Sequence, residues 1–168
     1  CRIDSMIGPR RSGFGGSDQR RGTTTNDDAV AGFIGEFVTS TVATASAVSL
    51  TSTTAANVTS ISLTAGDWDV SWVVDFKPGA TTSVTLMAGS ISLTTATHNT
   101  QAGGSGIGTE AFIIEDIAAN VLAADFSQVG PVVRCSFSST QTVYLVASST
   151  FSVSTMGAYG TIRARRVR

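Results

Sequence analysis

Charge is scarce in this sequence, and most of it sits at the two ends. Charged residues make up 14% of the 168 positions, against about 25% in an average soluble domain. Histidine occurs once and cysteine twice. A metal centre needs several converging His, Cys or carboxylate ligands. None cluster here, so neither a metal nor another cofactor is expected. Two cysteines, Cys1 and Cys135, do not make a disulfide framework. Cys135 lies in an apolar strand pattern, where a free thiol behaves as a small hydrophobe. No apolar run reaches the ~18 residues that cross a bilayer as a helix, which argues against membrane insertion. The opening residues carry no signal-peptide pattern. No fixed-period repeat is visible, which argues against a solenoid.

What is abundant is Gly, Ala, Ser, Thr and Val. Hydroxyl-bearing and β-branched residues suit a pleated surface whose outward positions are hydroxyls rather than Lys and Glu. The net charge of −1 hides an asymmetry. Five of the eleven basic residues fall in the first 21 positions: Arg2, Arg10, Arg11, Arg20 and Arg21. Four more, Arg163, Arg165, Arg166 and Arg168, fall in the last six. Residues 22–162 hold two basic side chains against ten acidic ones, a net of −8. Docking of basic ends onto an acidic body, in the same or another copy, is electrostatically favoured. Nucleic acid is a poorer partner, because the basic stretches carry no aromatic stacking platform beyond Phe14.

The chain divides into three parts. Residues 1–22 (Gly, Ser, Arg and one Pro, without hydrophobic period) read as an extended basic N-terminal arm that anchors to a partner. Residues 23–36 are a lead-in segment in which Asn26, Asp27 and Asp28 favour turns or a cap. Residues 37–168 read as one all-β domain. The clearest strand is Asp69–Phe76, with Val70, Trp72, Val74 and Phe76 on one face and period two throughout. TAGDW (64–68) before it reads as a turn. Further strands are expected at 37–43, 47–50, 58–63, 83–93, 131–139, 142–148, 151–155 and 158–166. Gly89 marks an expected bulge in the long 83–93 strand. Thr140 and Gln141 have hairpin spacing. Eight or nine short strands at this spacing predict an antiparallel β-sandwich or barrel. Residues 94–130 are the exception, a polar loop followed by a stretch that could form a short helix.

Candidate chemistry is thin. His98 lies in a Gly- and Thr-rich loop, without a G-x-S-x-G elbow anywhere, and reads as a solvated residue. Asp67 and Asp69 flank Trp68 and share one side of an extended chain. Paired carboxylates beside an aromatic are what a glycan-cleaving enzyme needs, but charges flanking a turn that leads into the Trp72 strand are the better explanation of them. Asp27–Asp28 and Glu115–Asp116 are adjacent pairs whose side chains diverge in a strand. GGSGIG (103–108) lacks the Lys-Ser/Thr of a phosphate loop. Asn57-Val58-Thr59 is a formal glycosylation sequon. Trp68, Trp72, Phe76 and Tyr144 read as core or subunit-contact aromatics.

Three stretches carry a family likeness: TTTNDDAVAGFIGEFV (23–38), TSISLTAGDWDVSW (59–72) and TVYLVASSTFSVSTMGAYGTIRARRVR (142–168). They resemble a family of small proteins and C-terminal domains of tailed bacteriophages and prophages. Its members share a lead-in segment, a GDWDV-like strand, a TVYLVAQ-like strand and a basic RARR end. The arm is outside the likeness, and the 94–130 region varies. The resemblance implies a trimeric, jelly-roll-like head on a tail fibre or tail appendage, located in the virion and attaching to the host surface, with no catalytic residues. A partner set follows: further copies of the chain, other virion proteins, and host-surface glycan. The variable loop then offers His98, Asn99, Gln101 and Ser105 for recognition, while the arm arginines and the C-terminal arginines supply contacts. An alternative is a capsid decoration or head-fibre protein. A third is a glycan depolymerase using Asp67 and Asp69.

Overall fold

The computed structural model describes residues 28–99, 107–122 and 124–168. Arg2, Arg10, Arg11, Arg20 and Arg21 of the arm, and Gln101 and Ser105 of the loop, lie outside the described residues. The described residues form ten strands: β1 (Phe37–Val42), β2 (Val48–Leu50), β3 (Ala56–Leu63), β4 (Gly66–Pro78), β5 (Ser83–Ser92), β6 (Phe112–Val121), β7 (Phe126–Val129), β8 (Val133–Phe137), β9 (Gln141–Ser152) and β10 (Met156–Arg166). Among the described residues, helix is confined to two 3₁₀ turns, Thr44–Ser46 and Thr109–Ala111. The larger sheet runs β1-β10-β4-β7, with β2 also on β10 and β8 also on β4. The smaller runs β3-β9-β5-β6. Every pairing is antiparallel. The chain passes repeatedly from one sheet to the other, so the predicted β-sandwich is present in jelly-roll-like form.

Alternation builds the core. Along β4 the inward set is Trp68, Val70, Trp72, Val74 and Phe76, all essentially inaccessible. They meet Val84, Met87 and Ile91 of β5 and Val143 and Leu145 of β9. Full burial of side chains of this size contributes roughly 1.5–3 kcal/mol each. The opposite set of β4, Asp69, Ser71, Val73 and Asp75, is only half-buried.

Several sequence expectations change. The stretch read as a possible helix is strand β6, pairing with β5 from Phe112 to Val121. Ile113, Ile114 and Ile117 suit an edge strand, and pairing overrides the helical bias of the Ala-rich half. The bulge in β5 falls between Val84 and Leu86, not at Gly89. Gly89 has a packing role instead, since a Cβ there would sit 2.6 Å from Val74 Cγ1 and 2.9 Å from Trp72 Cζ3 across the sandwich. Thr140 and Gln141 do not close a hairpin: β8 pairs with β4 and β9 with β3 and β5, so the chain changes sheets there. Strand β4 begins at Gly66, which puts Trp68 in the sheet rather than in a turn. β9 runs on to Ser152, and 153–155 is a turn with Val153 at φ 78°.

Candidate functional site

The register fixes what the outer face of the larger sheet displays. One row across four strands is Phe37, Arg165, Asp69 and Arg134. The next holds Thr39, Arg163 and Ser71, with Val132 beside them just ahead of β8. Then come Thr41, Thr161, Val73 and Val129, and after them Tyr159, Asp75 and Ser127. Exposure follows: Phe37 is 42% accessible, Val132 64% and Val129 65%. Phe37, Val132, Arg163, Arg165, Asp69 and Ser71 line a shallow depression of about 350 Å³.

Charge on this face is uneven. Arg134 Nε is 2.8 Å from Asp69 Oδ1. Arg163 Nε donates to Ser71 Oγ at 3.2 Å, a neutral partner. Arg165 has no hydrogen-bond or ion-pair partner among the described residues. The row end near Phe37 is therefore cationic. Further along β4, Asp75 accepts from Ser127 Oγ, and Tyr159 Oη donates to Asp125 Oδ2 at 2.7 Å.

The four C-terminal arginines, grouped together by sequence, separate by strand parity. Arg163 and Arg165 point out. Arg166 points in and is only 5% accessible. Its Nε donates to Glu36 Oε2 at 2.8 Å, Nη1 to the Ala65 carbonyl at 2.8 Å and Nη2 to Thr64 Oγ1. The guanidinium also lies 4.3 Å from the centre of the Trp68 ring. Gly66, at φ +135°, leaves room for it where any side chain would collide with the guanidinium. Backbone bonds Gly35 N–H to Arg166 O and Arg166 N–H to Glu36 O complete the clasp, both 2.9 Å. Burial raises the Glu36 pKa, but the Gly32 N–H bond and the Arg166 bond and charge outweigh it, and the net shift is downward. Arg168 reaches Asp67 Oδ2 at 2.9 Å. The Asp67 carboxyl is also held below its ordinary value, first by a Ser136 hydrogen bond and, against the cost of burial, by the Arg168 and Arg134 charges. Both members of the Asp67–Asp69 pair are thus tied to arginines. Arg166 was findable from sequence: Ala158, Ile162 and Ala164 share its parity along β10, and all are buried.

The loop expected to recognise partners is strapped to the outer face of the smaller sheet. Asn57 Nδ2 donates to Thr95 Oγ1 at 2.6 Å, and the Ala96 N–H donates to Asn57 Oδ1 at 2.7 Å. The sequon asparagine is therefore a loop anchor. His98 is not a solvated residue. Its Nδ1 and Nε2 each lie 2.8 Å from a serine hydroxyl, Ser90 and Ser148 respectively, and its ring packs on Phe112 at 5.3 Å between centres. Burial lowers its pKa from 6.5 to about 4. Such a ring is neutral near pH 7, donating through one nitrogen and accepting through the other. Asn99, 1% accessible, donates to the carbonyls of Ile107 and Gly108 at 3.0 Å. His98 is half-buried and Asn99 buried, and both are held by hydrogen bonds within the chain.

Among the described residues, no group of three or more His, Cys, Asp or Glu is placed to hold a metal ion. No helix of the described residues is long and apolar enough to cross a membrane. Cys135 is a free, buried thiol whose pKa is pushed up to about 11, by burial first and then by the charges of Glu110 and Asp69. No protein-family model, curated protein or solved structure matches the chain. The site's chemistry is that of a sheet face bare among the described residues, with three outward arginines and two carboxylates among apolar and hydroxyl side chains.

Proposed function

We propose that this chain is a non-enzymatic structural protein of a bacteriophage particle, the trimeric head of a tail fibre or tail appendage that contacts the host surface. The basic arm, residues 1–22, is its anchor to a neighbouring virion protein. The observation that carries the reading is the division of labour among side chains. The stretches that resemble phage proteins build the scaffold: GDWDV opens β4, TVYLVA lies in β9, and AYGTIRARR forms most of β10. These are interior strands of the two sheets. The groups that could have done chemistry serve the scaffold as well, His98 between two serines and Asp67 and Asp69 on arginines. What is left for interaction is surface.

Quantitative mass spectrometry and antibody labelling of purified particles test this. The expected result is stoichiometric incorporation, at around a dozen copies if the chain is a tail component. Hundreds of copies would move it to the capsid as a decoration protein. Absence from purified particles, with the chain abundant in the lysate, overturns the reading. Removal of residues 1–22 is expected to leave a folded protein that no longer joins the particle.

A further inference from the structure

We propose that the outer face of the larger sheet receives the β6 edge of a second copy of this chain, in a head-to-tail contact that closes into a ring. The inference deepens the proposed function by placing its self-association surface, and rests on that reading only for the ring size of three.

The face has the features of a buried surface without a cover. A four-stranded sheet of about ten residues spans roughly 600 Å² in projection before side-chain relief, close to the ~800 Å² that each partner contributes to a stable interface. Phe37, Val129 and Val132 are exposed on it, three of the nine large apolar side chains left exposed among the described residues. Arg163 and Arg165 stand among them with no carboxylate partner among the described residues.

The complementary surface lies on the same molecule. Strand β6 is the outer edge of the smaller sheet and pairs only with β5 among the described residues. Its free edge offers unpaired backbone groups, a liability that proteins usually cover. Ile114 and Val121 are 52% and 54% exposed there. Between them sit Glu115 and Asp116, on opposite sides of the strand with Asp116 the more exposed, neither in an ion pair among the described residues. The face carries apolar groups and the two arginines without an ion pair beside the Asp69 and Asp75 carboxylates, and the edge carries apolar and acidic groups. Within one copy these groups cannot neutralise each other, because Arg163 and Arg165 project outward from the middle of the larger sheet and β6 borders the smaller one.

The topology also sets the sense of the contact. β1 packs against β3 on one flank, with Ser40 Oγ 2.6 Å from Thr59 Oγ1, so β6 and β7 share the other flank. The β6 edge therefore adjoins the β7 side of that face around a corner, with Arg163 and Arg165 two strands further in on β10. Two different patches give a heterologous contact, which closes when the repeat turns and runs on as a filament when it does not. Patches on adjoining surfaces turn.

Sedimentation of the full chain, with charge-reversed variants, decides it. The wild type is expected to sediment as a trimer at ~10 μM, an ordinary affinity for a contact of this size, and to dissociate as salt rises. Arg163→Glu with Arg165→Glu, or Glu115→Lys with Asp116→Lys, should each sediment as single chains with an unchanged circular dichroism spectrum. All four substitutions together should restore the oligomer. A wild type that stays monomeric up to ~100 μM, an oligomer indifferent to both reversals, or no restoration in the quadruple variant overturns the proposal. Binding of a carboxylated polysaccharide such as polygalacturonate by a monomeric wild type, lost on reversal of the two arginines, would also overturn it and assign the face to acidic glycan. Sedimentation does not read particle location, so this proposal and the proposed function can fail separately.

Discussion

The two outer faces of the sandwich are opposites. On the smaller sheet, Ala88, Ser90, Ser92 and Val146 point outward and yet are buried, because the loop after β5 folds back over them. On the larger sheet the outward positions are arginine, aspartate, threonine and valine, and nothing in the described chain covers them. Both faces follow the same two-residue alternation. What distinguishes them is residue size and polarity: small hydroxyls and alanine under the strap, long charged side chains and scattered apolar ones on the bare face. A sheet face is closed when its own chain can satisfy it, and open when its complement is elsewhere.

The comparison breaks most sharply at adjacent residues of β10. Arg166→Met leaves Glu36 without its cation in a nearly closed site, and a loss of about 3 kcal/mol is expected on denaturant unfolding. Arg165→Met, one position away on the bare face, should stay within about 0.5 kcal/mol. Equal losses would mean that the parity assignment is wrong.

The strapped face predicts a pH dependence that the bare face lacks. The unfolded chain takes up a proton at His98 below pH 6.5, whereas the folded chain resists until about pH 4. Stability should therefore fall as pH drops through that window, by about 2–3 kcal/mol with the partial exposure of the ring discounted. Glu36 and Asp67, with folded pKa values below their ordinary 4.5 and 3.8, add a loss only at more acid pH. His98→Gln should remove the first phase and keep the second. His98→Ala at pH 7 should cost about 1–3 kcal/mol through unsatisfied serines and a lost ring contact. Unfolding midpoints from pH 2 to 8 check both.

The smallest effect is expected on the bare face itself. Arg134→Ala removes a solvent-exposed pair with Asp69 and should change stability by less than about 1 kcal/mol. That bound applies to the dilute single chain; a larger change that grows with protein concentration is the sign of a second copy covering this face.

Much of this was legible in the sequence, and the misses share a cause. The alternation in Asp69–Phe76 located the central strand, and strand spacing gave the sandwich. The β6 stretch was ambiguous because Ala118 and Ala119 favour helix locally, while the partner strand that decides the matter lies far away in sequence. Gly89 was read as a local irregularity, although its reason is Trp72 on the opposite sheet. His98 looked solvated because its neighbours are Gly and Thr; its true neighbours, Ser90 and Ser148, come from β5 and β9. Only Arg166 was missed despite a local signal, its parity with Ile162 and Ala164.

The clasp at Arg166 has a mechanical consequence. It ties the segment leading into β1 to the last residue of β10, so the polypeptide comes into the sandwich and leaves it at one pole. Tension arriving along the backbone from residue 28 would load the Glu36–guanidinium linkage and the first rung of β1 first, and would reach the core through the guanidinium that lies on the Trp68 ring.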